Sequence, residues 1–195
     1  MDDAVWKPSD VGCFKVNTDV AIDSTKKRVG IGIFVWDSSW AVVASSAQSI
    51  LAGFNTQIAE SIAILKELQL ALETCFWNCI IESDAQVVVN LINSRLCVNL
   101  DVGLIYKDIL SLLAKFQVCS VRYVPRRANM ATHGLAKLGL SVNLEEVFME
   151  EVPPCVALIV LGDCHKFDVF FFALMEYFST KMPLIHSAMP PNIIF

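Results

Sequence analysis

The spacing of hydrophobic residues changes at residue 55, and this change limits the folds that the chain can adopt. Before it, three segments alternate apolar and polar residues, the period of two that is typical of strands. They cover residues 14–22, 29–37 and 41–49, and short polar turns join them. This arrangement predicts an antiparallel meander. From residue 55 to 75 the apolar residues recur every three or four positions, which predicts an amphipathic helix.

The rest of the chain alternates between the two periods. Residues 78–84 and 117–125 read as strands, and residues 85–95, 101–116 and 126–141 read as helices. The order β-β-β-α-β-α-α-β-α predicts an α/β domain, a five-stranded mixed sheet flanked by helices. Gly30 and Gly32 share one face of the second strand, where we expect another backbone to come close.

The domain division follows from composition along the chain. Residues 1–12 form a polar lead-in, residues 13–142 the predicted domain, and residues 143–195 an apolar C-terminal extension. The longest apolar run of the extension, residues 167–178, contains Asp168 and Glu176, and the run 156–161 is shorter still. A membrane span needs about 20 apolar residues, so we expect no membrane interaction. A short helix against the domain is one possible structure for this segment.

Bulk composition narrows the class of protein. A chain of 195 residues with 55% hydrophobic residues can bury a core, which favours one ordered domain. The formal net charge of −5 argues against binding duplex nucleic acid mainly through the charge of the protein. Seven cysteines lack a C-x-x-C pair and no secretory signal precedes them, so we expect reduced thiols in an intracellular protein, nuclear or cytoplasmic. We expect a monomer.

Three carboxylates suggest a metal site. Asp19 stands in the middle of the first strand, where aspartate is disfavoured. Glu60 lies near the start of the first helix, and Asp84 closes the fourth strand. If these elements are neighbours, the three carboxylates converge and require a cation, for which oxygen ligands select Mg²⁺ or Mn²⁺. The alternative is that the two aspartates cap turns and Glu60 complements the helix dipole.

Four ordered motifs carry a family resemblance. The stretches "KVNTDVA", "AESIAILKELQLAL", "IIESDA" and "RRANMATHGLAK" together resemble the type 1 ribonuclease H fold. They look most like the plant ribonuclease H-like domains related to those of non-LTR retrotransposons, and "W-x-P" at 6–8 and "EEVPPC" at 150–155 look like the borders of that group. The resemblance implies that Asp19, Glu60 and Asp84 bind Mg²⁺ or Mn²⁺. It also implies two-metal hydrolysis of the RNA strand of RNA–DNA hybrids.

Two positions depart from the family pattern. The fourth carboxylate of the motif is replaced by His133, which the resemblance makes a catalytic residue that assists the second metal or product release. A histidine at this place holds a hard cation less strongly than a carboxylate. The glycine that usually follows the first aspartate is Val20 here, which we expect to crowd an approaching nucleic-acid backbone.

Polar residues near the motifs are candidate nucleic-acid contacts, although a solvated polar surface is the alternative for each. The candidates are Asn17, Gln57, Ser61, Asn90, Arg126 and Arg127. Three functions remain open at this point. They are an RNA–DNA hybrid endonuclease, a nucleic-acid-binding module with weakened turnover, and a structural or interaction domain left from a retroelement, whose apolar tail docks a partner.

Overall fold

The computed structural model describes residues 9–95 and 102–164. Its centre is a mixed sheet in the order β5-β4-β1-β2-β3-β6. The strands are β1 (Phe14–Asp23), β2 (Arg28–Trp36), β3 (Val42–Leu51), β4 (Asn78–Ser83), β5 (Val118–Tyr123) and β6 (Glu145–Met149). Strands β1, β2 and β3 form the predicted antiparallel meander. Strand β4 runs parallel to β1, and β5 runs parallel to β4.

Five helices flank the sheet in the described part of the chain. They are α1 (Thr56–Glu73), α2 (Gln86–Ser94), α3 (Gly103–Leu113), α4 (Met130–Gly139) and α5 (Ala157–Cys164). The side chain of Asn55 accepts a hydrogen bond of 2.9 Å from the Ile58 N–H, which fixes the start of α1. The predicted helix over residues 126–141 is divided into a 3₁₀ turn (Arg126–Ala128) and α4, because Asn129 leaves the helical conformation.

Hydrophobic cores lie on both faces of the sheet. The larger core joins β1, β2 and β4 to α1, α2 and α3, with Ile31, Ile64 and Ile81 among its fully buried residues. The smaller core lies under α4 and α5 and contains Phe34 and Leu135. Because both faces are covered, the polar side chains of β1 are buried together with the apolar ones.

The two glycines of β2 allow α4 to approach the sheet. A Cβ on Gly32 would lie 2.7 Å from the Leu135 Cβ and would also overlap the Thr132 carbonyl. A Cβ on Gly30 would lie 2.7 Å from the Leu140 nitrogen. The expected close backbone approach is therefore confirmed, and α4 is the element that makes it.

The predicted number of five strands is wrong, because β6 adds a sixth. It pairs antiparallel with β3, and most of its side chains are exposed. A largely exposed edge strand has no buried face to impose alternation, so its sequence carries little strand signal. The sheet thus continues beyond residue 142, and the buried Val156 and Val160 pack α5 onto the domain.

The remaining residues of the extension, 165–195, lie outside the described residues, as do residues 1–8 of the lead-in and residues 96–101. The predictions for the apolar segment 167–178 and for the "W-x-P" border fall within these ranges. Among the helices that are described, none combines the length and apolar character that crossing a membrane requires.

Candidate active site

The strand register places Asp19 and Asp84 side by side. Thr18 of β1 pairs with Ser83 of β4 in the parallel ladder, so the residues that follow them meet at the same edge. Glu60, in the second turn of α1, is buried over this point. One carboxylate oxygen from each of Asp19, Glu60 and Asp84 lies within 4.8 Å of the other two. The three predicted ligands therefore converge into one cluster.

Burial and mutual repulsion dominate the electrostatics of this cluster. Burial and the neighbouring Asp84 raise the pKa of Asp19 above its ordinary value. Burial, Asp19 and Asp84 together raise the pKa of Glu60 to about 8. The Glu60 Oε2 atom is buried without a hydrogen-bond partner among the described residues. A buried set of hard oxygen donors whose negative charges repel one another fits a divalent cation.

Both oxygens of Asp19 are held in place. Oδ1 accepts a hydrogen bond of 2.7 Å from the Val20 N–H, and Oδ2 lies 2.8 Å from His133 Nδ1. Val20 belongs to strand β1, and its side chain is buried in the larger core. We expected this valine to crowd a nucleic-acid backbone. The structure turns its side chain into the core, so the replacement of glycine affects packing and does not add an exposed obstacle.

His133 and Arg126 bring positive or dipolar groups to the rim of the cluster. Arg126 Nη1 lies 3.6 Å from Asp84 Oδ2, and Arg126 Nη2 lies 3.1 Å from His133 Nδ1 and 3.2 Å from His133 Nε2. A guanidinium can only donate hydrogen bonds, so a ring nitrogen of His133 is the acceptor in this contact. The His133 ring also lies against Asp19, with Nδ1 2.8 Å from Oδ2. His133 thus connects Arg126 to the buried carboxylate.

Asn129 anchors this corner of the molecule. Its side-chain amide donates a hydrogen bond of 2.8 Å to the backbone carbonyl of Thr18, and its backbone carbonyl accepts a hydrogen bond from the backbone N–H of His133. This buried residue therefore links the start of α4 to β1 directly beside Asp19. Sequence reasoning missed it, although it stands in the quoted motif four residues before His133.

The predicted nucleic-acid contacts fall into a buried pair and four residues with accessible surface. Asn17 is 2% exposed and donates to Glu82 Oε2 at 3.1 Å. Glu82 also forms a buried ion pair of 2.7 Å with Lys15. Ser61 is fully buried and donates to the carbonyl of Gln57. The four with accessible surface are Gln57, which is half-buried, and Asn90, Arg126 and Arg127, which are exposed.

The fold and the carboxylate cluster define a ribonuclease H-like α/β domain. The family model described as reverse transcriptase-like matches residues 17–139, a range that contains all three carboxylates and His133. The chain belongs to this reverse transcriptase-like family. No curated protein sequence matches it.

Solved structures show the same fold at low sequence identity. RNase H1 from the halophilic archaeon Halobacterium salinarum NRC-1 is 22% identical with a TM-score of 0.60, covering 66% of this chain and 98% of that one. An N-terminal RNase H domain from Mycobacterium tuberculosis is 23% identical with a TM-score of 0.59, covering 66% and 94%. LC11-RNase H1, solved in complex with an RNA/DNA hybrid, is 15% identical with a TM-score of 0.59, covering 66% and 96%.

Proposed function

We propose that this protein is a metal-dependent endonuclease that cleaves the RNA strand of RNA–DNA hybrids. The observation that carries the proposal is the convergence of Asp19, Glu60 and Asp84 from three separate elements within 4.8 Å. A similar structure holds an RNA/DNA hybrid, and that supports the choice of substrate. The motif resemblance further supports an origin in the plant group related to non-LTR retrotransposons. The cysteines, which form no C-x-x-C pair, support an intracellular location.

Asp19, Glu60 and Asp84 are the residues that would hold Mg²⁺ or Mn²⁺. The bound ions supply activation of the attacking water and stabilisation of the leaving oxygen in phosphodiester hydrolysis. The chain contributes a rigid set of ligands, because Asp19 is fixed by the Val20 N–H and by His133. Glu60 contributes a carboxylate oxygen with no competing hydrogen bond in the described structure.

His133 has a positioning role and a proton-carrying role in this proposal. Its Nδ1 contacts Asp19 Oδ2 and orients that carboxylate, and its ring faces Arg126 at the exposed rim. The imidazole is the group that would carry a proton to or from the departing product. Arg126 and Arg127 contact the phosphates of the hybrid, while Gln57 and Asn90 reach its sugars, since their exposure permits such contacts.

A second candidate function is a nucleic-acid-binding module with weakened turnover. One observation favours it. Arg126 and His133 already contact Asp84 and Asp19, so these two side chains compete with metal ions for the carboxylate oxygens. Such a site binds divalent ions less tightly than one with a fourth carboxylate. The two functions therefore differ in the metal concentration that cleavage requires.

A titration of Mg²⁺ and Mn²⁺ against cleavage of a labelled RNA–DNA hybrid tests the proposal. We expect metal-dependent cleavage by the wild type. In Asp19→Asn the cleavage rate should fall by at least about 100-fold, the size of effect that follows removal of one electrostatic contact in an active site. Glu73→Gln serves as the control for the loss of one acidic charge, because Glu73 is an exposed acid on the same helix as Glu60 and lies outside the carboxylate cluster. Full cleavage by Asp19→Asn would overturn the metal assignment. Hybrid binding without cleavage at any metal concentration would favour the second candidate.

A further inference from the structure

A pair of cysteines lies away from the candidate active site, at the other end of strands β4 and β5. Cys79 and Cys119 are directly opposite each other in the parallel ladder. The Cys79 thiol donates a hydrogen bond to Cys119 Sγ, with the two sulfur atoms 3.4 Å apart. Both residues pack on the larger core, so their side chains point to the same face of the sheet. We propose that Cys79 and Cys119 form a reversible disulfide, a modification site that links the edge strand to its neighbour.

The backbone geometry suits this bond. A disulfide needs Cα atoms about 4.4–6.8 Å apart, and adjacent strands are separated by about 4.8 Å. The sulfur atoms must approach from 3.4 Å to a bond of about 2.05 Å. Rotation of the half-buried Cys119 side chain provides this movement, whereas Cys79 is packed in the core.

The two cysteines differ in their exposure, and this difference sets the order of reaction. Cys119 has accessible surface, and Cys79 is 1% exposed. The hydrogen bond to Cys119 and burial raise the pKa of the Cys79 thiol. A peroxide therefore reaches Cys119 first, whose sulfur attacks one peroxide oxygen to give a sulfenic acid and one water.

The second step closes the disulfide. The sulfur of Cys79 attacks the Cys119 sulfenic acid, an S–S bond forms, the S–O bond breaks, and a second water leaves with the thiol proton. Overall two thiols lose two electrons and two protons, and one peroxide is reduced to two waters. A low-molecular-weight thiol reverses the modification by exchange.

The cross-link connects strands that lead into the candidate site. Strand β4 is followed directly by Asp84, and β5 continues into the turn that carries Arg126. Strand β5 lies at the edge of the sheet and pairs with β4 alone in the described structure. A bond from Cys79 to Cys119 therefore restrains the edge strand and closes a loop containing α2 and α3. The proposal does not depend on hybrid cleavage.

Peptide mapping after oxidation with hydrogen peroxide tests the pairing in the full chain. Tryptic peptide 67–95 contains both Cys75 and Cys79. The experiment therefore uses a Cys75→Ser variant, in which Cys79 is the single cysteine of that peptide. Cys119 lies in tryptic peptide 116–122. We expect these two peptides to be cross-linked, the intact mass to fall by about 2 Da, and dithiothreitol to restore it.

Cys13 provides the sharpest alternative, because it interacts electrostatically with Cys119 and lies in a different tryptic peptide, 1–15. A cross-link from peptide 1–15 to peptide 116–122, or the absence of any cross-link to peptide 116–122, would overturn the proposal. Thermal unfolding supplies a second readout. Oxidation should raise the Tm by roughly 5–10 °C in the Cys75→Ser background.

Cys119→Ser is the matched variant, since its side chain has accessible surface and the substitution leaves the core residue Cys79 in place. In a Cys75→Ser, Cys119→Ser protein we expect no change in Tm on oxidation. An equal rise in that protein would assign the stabilisation to another pair of cysteines and would contradict the proposal.

Discussion

At the scale of single residues, the buried acids decide how the protein responds to pH and metal. Glu60 has a pKa raised to about 8, from an ordinary value of about 4.5. The folded protein favours the protonated form of Glu60, so this residue does not lower the free energy of unfolding below pH 4.5. As the pH rises from 4.5 through 8, that free energy of unfolding falls. A divalent ion in the cluster would reverse this effect, because it favours the ionised carboxylate.

The first prediction concerns Glu60→Gln in the presence of a chelator. The variant should unfold with a free energy about 3 kcal/mol higher than the wild type at pH 7, and about equal to it at pH 4. Urea unfolding at the two pH values measures this difference. Added Mg²⁺ should stabilise the wild type and leave Glu60→Gln nearly unchanged. Equal stability of the two proteins at both pH values would show that Glu60 is not buried among carboxylates.

Glu67 gives a second prediction, one that is independent of metal. It is fully buried on α1, and both carboxylate oxygens lack a hydrogen-bond partner among the described residues. Burial first, and then the neighbouring Cys119 and Glu82, raise its pKa well above the ordinary value. Glu67→Gln should therefore be more stable than the wild type at pH 8, with the gap closing toward pH 4. Glu73→Gln, which changes an exposed residue of the same helix, should show no such gap.

At the scale of elements, the contact between α4 and β2 controls the position of His133. Gly32 is in contact with the backbone of α4, so Gly32→Ala should push that helix away from the sheet. We expect a loss of about 1–3 kcal/mol in the free energy of unfolding. The control is Gly53→Ala, because a Cβ on Gly53 would meet no atom within 4 Å. Hybrid cleavage should fall in Gly32→Ala and stay unchanged in Gly53→Ala. Unchanged stability of Gly32→Ala would contradict the close contact between β2 and α4.

The elements also show where sequence reasoning succeeds and where it stops. The periods of two and 3.6 predicted the meander, α1 and the order of the elements along the chain as far as α4, because those segments bury one face or one stripe. The glycine pair predicted the close approach to β2. Strand β6 was missed since most of its side chains are exposed. Asn17 and Ser61 were predicted as contacts from their polarity, yet β1 and α1 bury them.

Within the candidate site, sequence reasoning predicted the three carboxylates but not the contacts around them. The ordered motifs identify Asp19, Glu60 and Asp84, and parallel pairing of β1 with β4 then brings the two aspartates together. The contacts of Arg126 with Asp84 and His133 depend on the 3₁₀ turn before α4 and on side-chain rotamers. Neither is encoded in the hydrophobic period of the sequence.

At the scale of the whole molecule, the acidic net charge governs how nucleic acid is bound. A formal charge of −5 repels a hybrid at long range, so attraction must come from the local basic residues and from metal ions. Arg126 and Arg127 are exposed at the turn that precedes α4, beside the carboxylate cluster. Few phosphate contacts give a weak dependence of affinity on salt.

The last prediction tests this distribution of charge by fluorescence anisotropy with a labelled hybrid and the Asp19→Asn protein, which avoids cleavage. Between 50 and 200 mM salt, the logarithm of the affinity should fall with a slope of roughly −2, about −1 for each arginine contact. Adding Arg127→Ala should weaken binding and reduce the slope by roughly one. Lys115→Ala removes an equal charge near the start of β5, far from Arg127 along the strand, and should leave the slope unchanged. If both substitutions weaken binding equally, the hybrid is attracted by the overall charge, and the local basic residues at the cluster are not its binding site.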